Sequence, residues 1–306
     1  MRRLAGLGPK IALHEDDEWP PSREDLLRNA AGASALITLV TDRIDAELMD
    51  SAGESLQVVA NYAVGYDNID VDAAKARGVV VTNTPEVLTE ATADMAFGLV
   101  LTASRRIVEA DRWLRTEPEW IWGPRRFVGL DISAGATLGI VGFGRIGSAV
   151  ARRAQAFGMR IIASDAYPIK DADALGVEQV EFDEVIRESD AITLHAPLLE
   201  STRHLIGAEQ FRAMKPTAIL VNAARGPLVD EAALVEALRS GEIAGAGLDV
   251  YEREPVLEPG LTELDNIVIV PHIASAGDAT RVAMAHLAID NVEAVLNGQT
   301  PPTPIT

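Results

Sequence analysis

The sequence contains no cysteine, and this absence excludes several kinds of chemistry at once. Its 306 residues cannot form a disulfide, supply a catalytic thiolate or bind zinc through sulfur. A chain without disulfides fits a reducing compartment, so we expect a cytoplasmic protein. No stretch reaches the roughly 18 consecutive apolar residues of a membrane span, and no apolar signal segment follows Arg2-Arg3.

Positive charge is scarce as well. Lys and Arg number 27 against 46 Asp and Glu, which gives a formal net charge of −19. An acidic surface repels phosphate backbones and anionic headgroups, so we expect neither nucleic acid nor a membrane as a partner. An anionic substrate would then need a local cationic site. The apolar share of 48% and the charged share of 24% predict a globular chain of one large or two ordinary domains.

Short apolar, β-branched runs alternate with amphipathic stretches along the whole chain. This alternation is typical of βαβ units and parallel sheets, so the predicted fold class is α/β. In the first third, the predicted strands are Lys10–His14, Ala35–Leu39, Gln57–Ala60 and Val79–Thr82. The predicted helices there are Ser22–Asn29, Asp45–Ala52 and Val71–Arg77, followed by a longer helix from Thr89 to about Glu109.

A second α/β unit is predicted from Thr137 onward. Its strands are expected at Thr137–Val141, Arg160–Ser164, Ala191–His195, Ala218–Asn222, Gly245–Asp249 and Ile267–Val270. Its helices are expected at Ile146–Phe157, Ala208–Met214 and Asp230–Ser240, with a last helix over about Asp278–Leu296. Asn297-Gly298 and the prolines beyond it end this last helix.

The segment Trp113–Asp131 between these units is predicted to be irregular. It holds three of the four tryptophans of the chain. Two interpretations of Trp120 and Trp122 stay open. They pack against a neighbouring domain or subunit, or they form an apolar lip over a ligand.

A glycine fingerprint, Gly142-Phe-Gly144-Arg-Ile-Gly147, follows the predicted strand Leu138–Val141 and opens the next helix. Glycine turns are common, but one placed between a strand and a helix is typical of a dinucleotide site. The first glycine allows a tight turn, the second lets the backbone approach a pyrophosphate, and the third permits close helix–strand packing. The helix N-terminus adds N–H groups and partial positive charge for the phosphates.

An acidic residue, Asp165, ends the strand that follows the fingerprint. It lies about 20 residues further on, where a carboxylate accepts hydrogen bonds from the adenosine ribose. The same carboxylate would repel a 2′-phosphate, and no Lys or Arg follows until Lys170. The sequence therefore predicts NAD rather than NADP.

Hydride transfer to a keto acid needs a cation for the carboxylate and a proton donor for the developing alkoxide. Histidine suits the donor role, and a nearby carboxylate stabilises its protonated form. Of the five histidines, His195 and His272 end strands of the second unit, where ligands of open α/β sheets collect. Two other strand ends lead to charge, at Arg225 and at Glu252–Glu254. Any one of these is ordinary surface charge, but together they favour a site.

With these motifs, the chain resembles the D-isomer-specific 2-hydroxyacid dehydrogenase family, above all its glyoxylate/hydroxypyruvate reductase branch. The resemblance implies a Rossmann-type NAD-binding domain over residues 94–280. It implies a smaller flavodoxin-like α/β substrate domain over residues 1–93 and 281–306. The matching motifs cover nearly the whole chain and are Asn61–Asp70, Thr82–Asp94, Leu138–Gly147, Asn222–Glu231, Gly245–Val250 with Glu254-Pro255, and Pro271–Ser275.

The resemblance also implies a reaction, the reversible NAD-dependent reduction of a small 2-keto acid to the D-2-hydroxy acid. The acid/base histidine corresponds to His272, its carboxylate partner to Glu254 and the substrate-gripping arginine to Arg225. Backbone amides at Val64 and Gly65 would help to hold the substrate carboxylate, so the implied substrate-binding residues are these two with Arg225 and His272. Formate dehydrogenases resemble this pattern but have glutamine at the position of Glu254, which disfavours a formate substrate.

His195 then belongs to the cofactor site, and Asp249 would face the nicotinamide carboxamide. No metal is implied, and the family is typically homodimeric, with the Trp113–Asp131 region near the partner. Trp120 or Trp122 would then contact the substrate pocket of the other subunit. The implied cofactor-binding residues are Gly142, Gly144, Arg145, Ile146, Gly147, Asp165, His195, Pro197, Thr202, Ala223, Asp249 and Ala274.

Some alternatives stay open. Family members usually have a strand and a helix before the segment matching Arg2–Gly8, so the first strand of the substrate domain is expected to be missing here. A NAD-sensing corepressor that shares this fold is one alternative function, and turnover of small keto acids would distinguish it from an enzyme. A short phosphoglycerate dehydrogenase is another.

Overall fold

A computed structural model describes residues 21–117 and 119–306 of the chain. Its α/β architecture divides into two compact units, each described below by itself. One contains the chain up to Leu88 and again Gly277–Thr306, and the other is Thr89–Ala276. The predicted boundaries lie a few residues further along, because the whole helix that begins at Thr89 packs within the second unit.

The helices and strands have the following bounds. The strands are β1 (Ala35–Thr38), β2 (Val58–Asn61), β3 (Val80–Thr82), β4 (Thr137–Val141), β5 (Arg160–Ser164), β6 (Val177–Gln179), β7 (Ala191–Leu194), β8 (Ile219–Asn222), β9 (Gly245–Leu248) and β10 (Ile267–Ile269). The α-helices are α1 (Arg23–Ala30), α2 (Ala46–Ala52), α3 (Val71–Ala76), α4 (Thr89–Ser104), α5 (Ile107–Thr116), α6 (Arg145–Ala156), α7 (Phe182–Glu188), α8 (Ala208–Ala213), α9 (Glu231–Ser240) and α10 (Asp278–Leu296). Among the described residues, no helix has the length and apolar character needed to span a membrane.

The first unit is built on a parallel sheet whose described strands run in the order β1-β2-β3. Val58–Ala60 at its centre is fully buried, and α10 packs against this strand. The C-terminal segment lies along the free edge of β3. There Thr82 pairs with Pro304 in an antiparallel bridge, and the amide of Ile305 donates to the carbonyl of Val81 at 2.8 Å. The last residues therefore extend the sheet at the edge that β3 would otherwise leave unpaired.

The second unit contains a parallel sheet with the strand order β10-β9-β8-β7-β4-β5-β6 in the described chain. Read along the chain from β4, this is the 3-2-1-4-5-6 order of a doubly wound dinucleotide-binding fold, extended by one further strand. Apolar residues alternate between its two faces. On β4, Leu138 and Ile140 join a core cluster with α4 and α6, whereas Val141 joins a cluster with α7, α8 and α9. Helices therefore cover both faces, as parallel sheets require.

Capping explains where several helices begin. Because the Ncap side chain accepts one of the otherwise unpaired N–H groups of the first turn, the helix proper starts one residue later. The predicted starts at Ser22, Asp45 and Asp230 are all N-caps, and each accepts from the amide three residues on.

The predicted single helix from Thr89 to Glu109 is wrong. The chain forms α4 and α5 instead, with Arg106 in the left-handed region at φ 53° between them. The carbonyl of Ser104 accepts from the amide of Leu130 at 2.9 Å, which replaces the hydrogen bond that would continue the helix. The prediction of an irregular Trp113–Asp131 segment is also wrong at its start, since α5 continues to Thr116.

Two elements of the second unit were not predicted. Strand β6 has only three residues and helix α7 only seven, so neither gives a clear periodicity. The predicted strand Lys10–His14 and the question of a missing first strand lie outside the described residues.

Candidate active site

The glycine fingerprint lies at the carboxyl end of β4, where the strand order reverses between β4 and β7. Gly142 leaves the strand with a φ of 91°, and a Cβ added there would lie 2.6 Å from the backbone nitrogen of Ala196. Glycine therefore allows the loops after β4 and β7 to approach closely. Such a reversal is where open α/β sheets bind their ligands.

The other two fingerprint glycines shape the start of α6. A Cβ on Gly147 would lie 2.3 Å from the carbonyl oxygen of Gly142, so helix and turn pack backbone to backbone. Nothing lies within 4 Å of a Cβ position on Gly144, the N-cap, and among the described residues no side chain caps this helix. The first turn, which contains Arg145 and Ile146, thus presents N–H groups beside open space. These features fit the pyrophosphate of a dinucleotide.

Asp165 follows β5, and the backbone holds both of its carboxylate oxygens. Oδ2 accepts from the amide of Phe143 at 2.7 Å, and Oδ1 accepts from the amide of Tyr167 at 3.0 Å. The carboxylate therefore lies against the glycine turn, and each oxygen keeps a lone pair for a ribose hydroxyl. A 2′-phosphate placed there would meet this negative charge, so the residues present fit NAD.

Several other predicted cofactor residues lie in loops at the same edge of the sheet. His195 follows β7, with Nε2 2.9 Å from Oγ1 of Thr193, and burial lowers the pKa of His195 to about 4. It is therefore neutral at pH 7 and poorly suited to donate a proton. The hydroxyl of Thr202 donates to the carbonyl of Pro197 at 2.7 Å, which ties this loop together. Ala223 directly follows β8.

His272 and Glu254 form a hydrogen-bonded pair in the second unit. Nδ1 of His272 lies 2.8 Å from Oε2 of Glu254. An ionised carboxylate can only accept, so Nδ1 carries the proton, and Nε2 is the ring nitrogen that can exchange a proton with a ligand. Both side chains are only partly buried, 32% and 24% exposed, so a small molecule can reach them.

The carboxylate of Glu254 is held in its charged form. Its Oε1 accepts from the amide of Tyr251 at 2.9 Å. Burial by itself raises the pKa of Glu254. The hydrogen bond and charge of His272, the Tyr251 amide and the charge of Arg225 outweigh burial and bring this pKa below its ordinary value. Glu254 is therefore an anion at neutral pH and stabilises a protonated imidazole beside it.

Asp249 holds the loop that carries His272. Its buried carboxylate accepts from the amide of Ile273 at 2.6 Å and from the amide of Ala274 at 2.9 Å. His272 itself has a φ of 53°, a backbone conformation that costs a non-glycine residue roughly 1–3 kcal/mol. The two hydrogen bonds just after it stabilise this turn. Burial raises the pKa of Asp249, although the two amides and the charge of His272 oppose the shift.

Arg225 lies in the turn that follows β8. Asn222, which is buried, shapes this turn because its Nδ2 donates to the carbonyl of Arg225 at 2.8 Å. At Gly226 an added Cβ would lie 1.9 Å from the carbonyl carbon of Tyr251. The turn with Arg225 and the loop with Glu254 therefore meet backbone to backbone, which places their charges in one neighbourhood.

The two amides predicted to hold a substrate carboxylate, those of Val64 and Gly65, belong to the first unit and follow β2. Both residues are half-buried, and within the described residues neither amide donates to a protein acceptor. Their carbonyls, in contrast, are held. Nδ2 of Asn83 donates to Val64 at 2.7 Å, and Nδ2 of Asn61 donates to Gly65 at 2.8 Å. The two N–H groups can therefore serve a ligand.

The sequence interpretation assigned no role to Asn61, Asn83, Asn222 or Tyr251. All four lie within or next to the matched motifs, and the signal that could have found them is a polar residue at a strand end. Among the remaining histidines, Nε2 of His204 lies 2.8 Å from Oε1 of Glu252, while His14 lies outside the described residues. In residues 21–117 and 119–306, no cluster of His, Asp or Glu side chains is placed to bind a metal ion.

Comparison with known proteins extends this picture. The family model "D-isomer specific 2-hydroxyacid dehydrogenase, NAD binding domain" matches residues 97–274. The glyoxylate reductase of Korarchaeum cryptofilum (strain OPF8) is 52% identical over 290 residues, which cover 94% of this chain and 86% of that protein. The glyoxylate reductase of Thermococcus onnurineus (strain NA1) is 51% identical over 294 residues, with coverages of 94% and 87%. In the crystal structure of TT0316 protein from Thermus thermophilus, the match has 47% identity and a TM-score of 0.92 and covers 100% of this chain and 96% of that one.

The fold and these matches define an NAD-dependent oxidoreductase built on a Rossmann-type domain. The chain belongs to the D-isomer-specific 2-hydroxyacid dehydrogenase family. The family resemblance, the α/β fold class and the NAD cofactor predicted from the sequence are thereby confirmed.

Proposed function

We propose that the protein reduces glyoxylate or hydroxypyruvate, reversibly and with NADH, to the 2-hydroxy acid, in the D configuration where the product is chiral. The observation that carries the proposal is the His272–Glu254 pair, held at 2.8 Å beside the turn with Arg225. The pair occurs in a chain that is 52% and 51% identical to proteins named glyoxylate reductase.

His272 moves the proton in this reaction. Bound NADH supplies the hydride that the carbonyl carbon accepts. As negative charge grows on the carbonyl oxygen, Nε2 of protonated His272 donates its proton to that oxygen, while Glu254 stabilises the imidazolium through Nδ1. In the oxidation direction, neutral His272 removes the proton of the substrate hydroxyl.

Arg225 and two backbone amides bind the substrate anion. The planar guanidinium of Arg225 matches a carboxylate and also polarises the adjacent carbonyl. It supplies the local positive charge that a chain of net charge −19 needs in order to attract an anion. The amides of Val64 and Gly65 add donors that carry no net charge.

The cofactor preference follows from Asp165. Its carboxylate, fixed by the amides of Phe143 and Tyr167, accepts from the ribose hydroxyls of NADH and disfavours the 2′-phosphate of NADPH. Use of NAD and the absence of cysteine fit a cytoplasmic location, which cell fractionation would test.

A homodimer is the proposed assembly. Neighbouring apolar side chains in one segment are exposed, with Trp120 at 52%, Ile121 at 83%, Trp122 at 74% and Val128 at 65%. An apolar patch of this kind favours a protein interface. Light scattering should give twice the chain mass, and Ile121→Glu should give the monomer. A monomeric wild type would contradict the proposal.

The first experiment is a rate panel. NADH oxidation is followed with glyoxylate, hydroxypyruvate, pyruvate and 2-ketogluconate, with NADPH in parallel. Turnover of glyoxylate or hydroxypyruvate that is faster with NADH supports the proposal, and His272→Ala should lower kcat about 10²–10⁴-fold. His204→Ala is the matched control, because His204 also lies 2.8 Å from a carboxylate, that of Glu252. NADH binding without turnover of any keto acid would favour the sensor alternative.

A further inference from the structure

The direction of the Val64 and Gly65 amides is set by the segment Asn83–Thr84. A trans peptide is planar, so the C=O of one residue and the N–H of the next point in opposite directions. A hydrogen bond that holds a carbonyl oxygen therefore also aims the N–H group on the other side of the same peptide. What this orientation means for activity rests on the proposed role of these amides in binding the substrate carboxylate.

Two such hydrogen bonds act on consecutive peptides. The amide of Thr84 donates to the carbonyl of Ala63 at 2.8 Å, which aims the N–H of Val64. Nδ2 of Asn83 donates to the carbonyl of Val64 at 2.7 Å, which aims the N–H of Gly65. One short segment thus orients both donors.

The C-terminal segment holds Asn83 in turn. The hydroxyl of Thr303 donates to the carbonyl oxygen of Asn83 at 2.6 Å. Asn291 on α10 is fully buried, and its side chain binds Thr303 twice. Nδ2 donates to the Thr303 hydroxyl at 2.8 Å, and Oδ1 accepts from the Thr303 amide at 3.0 Å. The roles are consistent, since the hydroxyl accepts from one partner and donates to the other.

We propose that Asn83 is a positioning residue for the substrate carboxylate and that Thr303 acts through it. The side chain of Asn83 touches the carbonyl of Val64 and need not touch the substrate. Its effect is to keep two adjacent N–H groups aimed at one anion. Val64 is half-buried, so water can replace the lost donor in a variant. The variant therefore keeps its fold and loses the preset direction of the amides.

The test begins with Asn83→Ala. The carboxylate is present in substrate and transition state alike, so a loss in its binding appears mainly in KM. We expect KM for glyoxylate to rise about tenfold, the upper range of one hydrogen bond, with kcat and KM for NADH within about twofold of wild type. Thr303→Val removes one hydroxyl at nearly constant shape and should raise the same KM about threefold.

Thr306→Val is the matched control. It removes a hydroxyl from the same C-terminal segment, but that hydroxyl accepts from the amide of Val81 and has no link to Asn83. Its KM for glyoxylate should equal that of wild type. An unchanged KM in both Asn83→Ala and Thr303→Val would overturn the inference. So would a loss confined to kcat or to the melting temperature.

A binding measurement separates this inference from the proposed function. Calorimetry records the affinity of the NADH-saturated protein for oxamate, a 2-keto acid analogue that is not reduced. If wild type turns over no keto acid but binds oxamate, and Asn83→Ala weakens that binding about tenfold, the reductase proposal fails and the positioning role stands. If wild type turns over keto acids and Asn83→Ala binds oxamate normally, the positioning role fails alone. A wild type that binds no oxamate and reduces no keto acid contradicts both.

Discussion

Nδ1 of His272 lies 2.8 Å from Oε2 of Glu254, and the second carboxylate oxygen accepts from the amide of Tyr251. The histidine is thus held through one ring nitrogen, while the other can exchange a proton with a substrate. Because the pKa of Glu254 lies below its ordinary value, the pair remains charged on the carboxylate side throughout the neutral range. Activity should therefore depend on pH through the histidine and on this one contact.

Glu254→Gln should lower the reductive kcat about 10–100-fold at pH 8 and distinctly less at pH 6. Glutamine no longer stabilises the protonated imidazole, and a lower pH supplies the proton instead. A pH profile of kcat measures this. Glu252→Gln is the control, since Glu252 lies 2.8 Å from His204. Equal losses at both pH values, or a similar loss in the control, would refute the role given to Glu254.

Asp249→Asn should lower kcat about tenfold. Asparagine offers a single acceptor oxygen, so one of the amides of Ile273 and Ala274 loses its partner, and the positive φ of His272 is no longer stabilised. Steady-state kinetics in both substrates distinguish two roles. A loss in kcat with little change in KM for NADH supports a role in holding the loop, whereas a rise only in KM for NADH supports the predicted contact with the nicotinamide carboxamide.

His195 should make the protein less stable as the pH falls. Its pKa is lowered to about 4 by burial, so between about pH 6.5 and pH 4 the unfolded chain binds a proton that the folded chain does not. The free energy of unfolding then decreases over this window by up to about 3 kcal/mol. Urea unfolding at several pH values should show a weaker pH dependence in His195→Gln than in wild type. His286→Gln, which also lacks one histidine, should behave like wild type. If all three proteins lose stability in parallel, His195 is not the cause.

Two glycines of the fingerprint should respond differently to alanine. Gly144 has a φ of −78°, and nothing lies within 4 Å of a Cβ there, so Gly144→Ala should melt like wild type but raise KM for NADH at least about tenfold. In Gly147→Ala, the Cβ would lie 2.3 Å from a backbone oxygen, so the melting temperature should fall by several degrees. Scanning calorimetry and NADH titration measure both effects. A normal KM in Gly144→Ala would mean that the pyrophosphate lies elsewhere.

Local patterns predict most elements of this fold because their signals lie within a few residues. The strand, turn and helix around Gly142–Gly147 are one continuous motif, and the helices capped by Asp45 and Asp230 begin one residue after the predicted start. The break between α4 and α5 has no comparable signal. It depends on a hydrogen bond from Leu130 to Ser104, which the sequence near the break does not reveal.

The candidate site divides in the same way. The sequence by itself determined the α/β class, the family and the NAD cofactor, since these depend on residue types at short, regular spacings such as the fingerprint and Asp165. Only the tertiary structure decided which groups touch. Glu254 and His272 are 18 residues apart and Asn83 and Thr303 are 220 apart, and such hydrogen bonds form only where folded loops and strands bring the two partners together.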